Sequence, residues 1–321
     1  MKKIFLLYII ITFSCTNNDN NQEQEIEDCS GDYTTAGVLV NVDENIFNND
    51  ESVNTHSRYS WSSNGSQRVL NGNGIPNHEV GTFPNNHNPN SIREQTVNKR
   101  FTLCPNIISE SGLEVVGPAL VIAYALNSVK FDPVTAGRCN DKGVCSLAQG
   151  QGNWNIEALG HDTFNFGDDM NHAHVQPNGA YHYHGIPELL VDFLGDSDGM
   201  TLVGWAADGF PVYARYGFLD TNDSNSKTIA LKSSYRLKSQ PDPNRPMVLT
   251  RLSGGPGQGT TPNTPIAMGA FTQDYEYVDG LGDLDQCNGR FGVTPEFPEG
   301  IYYYVVSDDF PFFTRCLKGN T

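Results

Sequence analysis

HAHVQPNGAYHYH, residues 172–184, places four of the chain's eight histidines within thirteen positions, on either side of a turn signal. Gln176-Pro177-Asn178-Gly179-Ala180 can close a hairpin in two ways. A two-residue loop at Asn178-Gly179 sets His174 opposite Tyr183 and splits the histidines between two faces of the ribbon. A three-residue loop sets His174 opposite His182 and His172 opposite His184, so that all four imidazoles share one face. The three-residue loop is favoured. Proline presets the first position of a type I turn, and glycine tolerates the left-handed position that closes it.

The chemistry follows from the register. Cross-strand neighbours stand ~5 Å apart at Cβ, and an imidazole nitrogen holds zinc or copper at ~2 Å. Four charged rings this close repel one another, so they must be mostly neutral, which is the form that ligates a metal. His172, His174, His182 and His184 are therefore candidate ligands of a transition metal, copper or zinc, with copper(II) bound more tightly by an imidazole set. The upstream stretch EALGHDTFNFGDDMN adds His161 and Asp162 as further ligands or as acceptors that fix imidazole tautomers. Met170 in the same stretch is a thin signal for copper(I). The other reading of the four histidines is a hydrogen-bonded ladder packed with Tyr181 and Tyr183. Calcium is a further candidate at the acidic loops GDSDG (195–199) and GDLDQCNG (282–289), neither of which completes a twelve-residue calcium loop.

Away from the hairpin the chain is punctuated by 32 glycines and 18 prolines, which leave no long amphipathic helix. The runs ALVIAYAL (119–126), MTLVGWAA (200–207), FPVYARYG (210–217) and IYYYVV (301–306) read as strands. PELLVDFLG (187–195) reads as a short helix, with Pro187 in its first turn and Gly195 as its stop. The expected fold is mainly β, with irregular loops and a few short helices, and forms one domain over 29–321 with room for two packed sub-lobes. Trp61, Trp154 and Trp205 are core candidates or a sugar platform. Nucleophile-elbow, phosphate-loop and zinc-protease helix motifs are absent from the sequence.

The N-terminal run MKKIFLLYIIITFSC has two lysines, ten mostly apolar residues and then Ser14-Cys15, the pattern of a secretory signal over 1–14. The small residue before Cys15 resembles a bacterial lipobox, which implies a lipidated Cys15; ordinary cleavage that discards Cys15 is the alternative. Residues 15–28 are an acidic tether. Six cysteines then remain, Cys29, Cys104, Cys139, Cys145, Cys287 and Cys316, an even set that reads as three disulfides in an exported protein. Cys139 and Cys145 flank a turn-rich loop and are the best single pair. A thiolate metal site lacks the close spacing of zinc knuckles. The formal charge is −17; loss of Lys2 and Lys3 makes it −17 − 2 = −19, which disfavours nucleic acid as a partner. Contact with a membrane is expected through lipid alone, facing the periplasm or the cell surface.

From GAYHYHG outward the chain resembles the YHYH family of exported proteins. The likeness takes in NGIPNHEVGTFPNNHNPNSI (73–92), IAYALNSVKFDPVTAG (122–137), NHAHVQPNGAYHYHGIP (171–187), DGFPVYARYG (208–217), YEYVDGLGDLDQCNGRFGVTPEFPEGIYYYV (275–305) and FPFFTRCLKG (310–319). Ala214-Arg215 departs from an expected Gly-Pro pair. The resemblance brings no activity with it, but it adds His78 and Asp208 as residues near the histidine ribbon. Two functions stand side by side: a metal-binding protein, or a surface module for polysaccharide or protein with the histidines as internal scaffold.

Overall fold

IYYYVV is a strand over Ile301–Val306 with all six side chains buried, as a run without polar alternation requires when both faces of a sheet are covered. MTLVGWAA contains a second such strand, Thr201–Ala206. Both lie inside a sheet of eight strands in the spatial order Ala173–Val175, Tyr181–Tyr183, Lys130–Phe131, Ala123–Ala125, Thr201–Ala206, Pro211–Ala214, Ile301–Val306, Gly289–Gly292. Two pairings are parallel, Tyr181–Tyr183 with Lys130–Phe131 and Pro211–Ala214 with Ile301–Val306; the others are antiparallel. The histidine hairpin is one end of this sheet, and Ala173–Val175 is its edge strand.

The computed structural model describes residues 31–109, 114–115, 121–195, 198–254 and 263–321. The leader, Cys15, the tether and Cys29 lie outside them, as do the first residues of ALVIAYAL and part of GDSDG. A four-stranded antiparallel meander, Val42–Asn48, Thr55–Asn64, Gln67–Gly72 and Val97–Thr102, packs its Trp61 and Leu70 into the main core. A smaller sheet joins Trp154–Asn155, Arg138–Cys139, Val144–Ser146 and Arg251–Ser253. It has its own apolar cluster, including Trp154, Ile156, Phe166 and Phe271.

The mainly β expectation holds, with one short α-helix among the described residues, Glu188–Leu194, stopped by Gly195 at φ 90°. No helix among them is long and apolar enough to cross a membrane. The strand expected over 210–217 breaks after Ala214, because Arg215 takes a left-handed φ of 52°. A proline ring excludes that conformation, so this bend departs from any Gly-Pro loop. Its guanidinium instead ties Glu188 of the helix to Asp308, at 2.6 and 2.8 Å.

Cys139 pairs with Cys145 as expected, and Cys287 pairs with Cys316. Cys104 is disulfide-bonded as well. The sequence separation of 29 between Cys287 and Cys316 corresponds to roughly 3–4 kcal/mol of lost unfolded-chain entropy.

Candidate functional site

The hairpin adopts the three-residue loop. Gln176 and Ala180 close it through a 2.9 Å bond from N–H to carbonyl, and the Gly179 N–H returns to the Gln176 carbonyl at 2.8 Å. Gly179 sits at φ 89°, the left-handed position that its lack of a Cβ permits. His174 stands opposite His182, and the His184 N–H bonds the His172 carbonyl at 2.8 Å.

Three imidazoles converge on one face. His184 Nε2 lies 3.0 Å from His182 Nε2 and 3.3 Å from His174 Nε2, and all three rings are buried. The expectation of four does not hold, because His172 precedes the strand in a left-handed conformation, φ 53°. That backbone turns its ring to the Ile186 carbonyl, 2.8 Å from Nδ1. Among the described residues, His174, His182 and His184 are the group of three or more potential ligand residues whose atoms come together, all within 4.8 Å.

Protons on these rings are assigned by their partners. His174 Nδ1 stands 2.5 Å from Asp168 Oδ1, so Nδ1 carries the proton; in the neutral ring Nε2 keeps its lone pair, and only the doubly protonated ring repels positive charge on its neighbours. His182 Nδ1 faces the Ala180 carbonyl at 3.3 Å; a carbonyl only accepts, so Nε2 of this ring is also free. His184 Nδ1 has no hydrogen-bond partner among the described residues, with the Pro133 carbonyl beside the ring. Burial, and then the neighbouring His174, push His184 down to about 3 and His182 well below the ordinary histidine value. Burial raises the Asp168 carboxyl, yet the charge and hydrogen bond of His174, with His184 and His172, together hold Asp168 below its ordinary value.

Asp168 comes alongside His174 through a tight turn. The Asp169 N–H bonds the Ala173 carbonyl at 2.8 Å and the His172 N–H bonds the Asp169 carbonyl at 3.0 Å. An Asp–His pair of this kind orients a metal-binding ring and makes it more basic. Phe166 stacks on His174 at 5.6 Å and 17°. Three nitrogens around one ion held at ~2.0–2.1 Å in tetrahedral geometry stand ~3.3 Å apart, which fits the two separations from His184; the third pair, His174 and His182, lies within 4.8 Å. The three rings line a cleft of about 500 Å³, shared by Asp132, Val134, Leu147, Phe166 and the loop of His87 to Asn90.

The other histidines and acids serve elsewhere. His161 donates or accepts within its own loop, with Nε2 at 2.8 Å from the Glu157 carbonyl and Nδ1 facing the N–H groups of Thr163 and Phe164. Asp162 and Met170 are exposed. His78 is buried on the opposite face of the hairpin, its Nε2 2.6 Å from the Tyr183 hydroxyl. Asp208 is buried at a turn of the main sheet, where it accepts from Tyr304 at 2.5 Å and from the Gly319 N–H at 2.9 Å. In GDLDQCNG, Asp283 accepts from the Lys232 N–H and Asp285 pairs with Lys318 and caps Cys287, so both acids are spent on the chain itself. Asp132 and His87 are the site residues that motif reading passed over, while Asp168, within the upstream acidic stretch, takes the tautomer-fixing place expected of Asp162.

A family model described as YHYH protein matches residues 100–319. The chain belongs to the YHYH family. Its tetrapeptide, Tyr181-His182-Tyr183-His184, is the inner strand of the hairpin and its first residue beyond, so the YHYH signature supplies two of the three convergent rings. No curated protein and no solved structure matches the chain.

Proposed function

We propose that this YHYH protein is an exported, lipid-anchored metal binder that holds copper(II) or zinc(II) through Nε2 of His174, His182 and His184. The observation that carries the reading is the convergence of three buried Nε2 atoms, two of them left with lone pairs by committed Nδ1 partners. Three protein ligands leave a fourth position of a tetrahedral ion facing the cleft. Asp168 fixes the tautomer of His174 and partly offsets the charge of the ion. Copper(II) is the tighter ligand by intrinsic affinity. Disulfides and the acidic surface fit an extracytoplasmic setting, and the leader with Ser14-Cys15 supports the anchor.

The competing reading is a metal-free ladder, in which His184 carries its proton on Nε2 and shares it between His174 and His182. Trp61, Trp154 and Trp205 are all buried, so they offer no stacking surface to the polysaccharide version of that reading. Metal-stripped protein, made without a histidine tag, decides between the two by calorimetric titration with copper(II) and zinc(II). One equivalent is expected to bind. The double variant His182→Ala/His184→Ala is expected to lose at least a thousandfold in affinity while its metal-free melting temperature changes little. Wild type without metal uptake, beside a strongly destabilised double variant, hands the case to the ladder. Mass spectrometry of the mature N-terminus tests for an acylated Cys15.

A further inference from the structure

Asp132 is 2 % exposed and lines the same cleft as the three histidines. Its strand, Lys130–Phe131, runs parallel to Tyr181–Tyr183 with Lys130 beside His182 and Phe131 beside Tyr183. Continuing that register sets Asp132 beside His184, on the histidine side of the sheet. One carboxylate oxygen is fully engaged: Oδ2 accepts from Lys130 Nζ at 3.0 Å and from Gln176 Nε2 at 2.9 Å. The other, Oδ1, is buried and has no donor among the described residues. An unpaired buried acceptor on a charged group is costly to leave unmade.

Several features of the cleft narrow what supplies the missing donor. Lysine and arginine are absent from the residues that line it, and Lys130, just behind the lining, is already paired with Asp132, so the lining leaves no unmatched positive charge for an anion. Val134, Leu147 and Phe166 give it apolar walls suited to a carbon body. His87 Nδ1, on the facing loop, and His184 Nδ1 are the other buried polar atoms of lining residues without a partner among the described residues; either tautomer suits an imidazole, so Asp132 sets the polarity. We infer that the cleft takes a small neutral molecule that gives a lone pair to the metal and an N–H or O–H to Asp132 Oδ1. The inference rests on the metal reading above, and it makes Asp132 a specificity-determining residue rather than a ligand.

Imidazole and 1-methylimidazole test this directly, since both are neutral metal ligands and the second lacks the distal N–H. The probes are titrated into cobalt(II)-loaded protein and followed by its visible absorption, with the variant Asp132→Asn beside the wild type. Lys130 and Gln176 both donate to the engaged oxygen, so they hold the asparagine oxygen in its place and turn the amide NH₂ into the cleft. Wild type is expected to prefer imidazole by about tenfold or more, and Asp132→Asn is expected to lose that preference while still binding one metal ion. Metal-loaded wild type without a preference overturns the inference alone, and so does a preference that survives in Asp132→Asn, which is then steric. Where cobalt is not taken up, the zinc(II)-loaded protein is titrated with the same two probes by calorimetry; protein that binds none of cobalt(II), copper(II) and zinc(II) overturns the metal reading and this inference with it.

Discussion

The two faces of one hairpin solve the same problem in opposite ways. On the tyrosine face, Tyr183 donates to His78 Nε2 at 2.6 Å and accepts from Asn127 at 3.0 Å, while Tyr181 donates to Asp169 at 2.7 Å. Asp169 in turn accepts from the Gly81 N–H. Each polar group there meets a partner of the opposite kind, and the network is closed. On the histidine face three ring nitrogens of like character meet one another beside a cleft. Alternation in a five-residue run, Ala180 to His184, therefore sorts a satisfied structural layer from an unsatisfied one. The lesson is that histidine content alone does not mark the site; the complement left to each ring does.

The largest effect on this contrast is expected from Tyr183→Phe. It removes the partner of His78 Nε2 and one partner of Asn127, both buried, and should cost about 2–4 kcal/mol by urea unfolding while leaving metal affinity within twofold. A variant that lost metal but not stability would show that the faces are not separable. Next comes Asp168→Asn, which keeps an acceptor near His174 but removes the charge. It should weaken metal binding by about 10–100-fold with a loss of metal-free stability at neutral pH, because the carboxylate is held below its ordinary value in the folded protein; unchanged affinity would make Asp168 an ordinary loop residue.

The smallest effect is pH dependence. His182 and His184 are lowered by burial and by their ring neighbours, His184 to about 3, whereas in the unfolded chain they titrate near 6.5. Between those values the unfolded state binds more protons, so stability is full above pH ~6.5 and falls with acid by up to ~1.4 kcal/mol per unit for each ring. The tyrosine hydroxyls, raised by burial, contribute nothing in that window. His184→Ala, measured metal-free between pH 7 and 4.5, should show a shallower decline than wild type; identical slopes would place the protons elsewhere.

The features legible in the sequence were local. Pro177-Asn178-Gly179 wrote the hairpin register through turn chemistry, and Ile301–Val306 wrote a doubly covered strand through its lack of polar alternation. His172 escaped because a left-handed residue at the mouth of a hairpin breaks the period-two rule that placed the other three. Asp168 was reachable in principle, since Gly167-Asp168-Asp169-Met170-Asn171 is a turn-forming run that folds back on the strand it precedes. Asp132 was not, because a parallel pairing carries no turn to set its register, and the strand that brings it to His184 lies far upstream. The same limit hid His87, whose loop is held at the cleft by bonds from Asn85, Asn88 and Asn90 to Gly167, Phe166 and Val175.

Those contacts bear on how the protein behaves in a crowd. Ala173–Val175 ends the eight-stranded sheet, and a bare terminal strand offers its carbonyls to any extended peptide that passes. Here the Ala173 carbonyl is taken by the Asp169 N–H, and the Val175 carbonyl accepts from the side-chain amides of Asn88 and Asn90 at 3.0 and 2.8 Å. Two asparagines thus stand where a neighbouring chain's backbone would otherwise dock. The two carbonyls of that rim are withheld from strand addition, while the same loop forms a wall of the cleft beside the histidines.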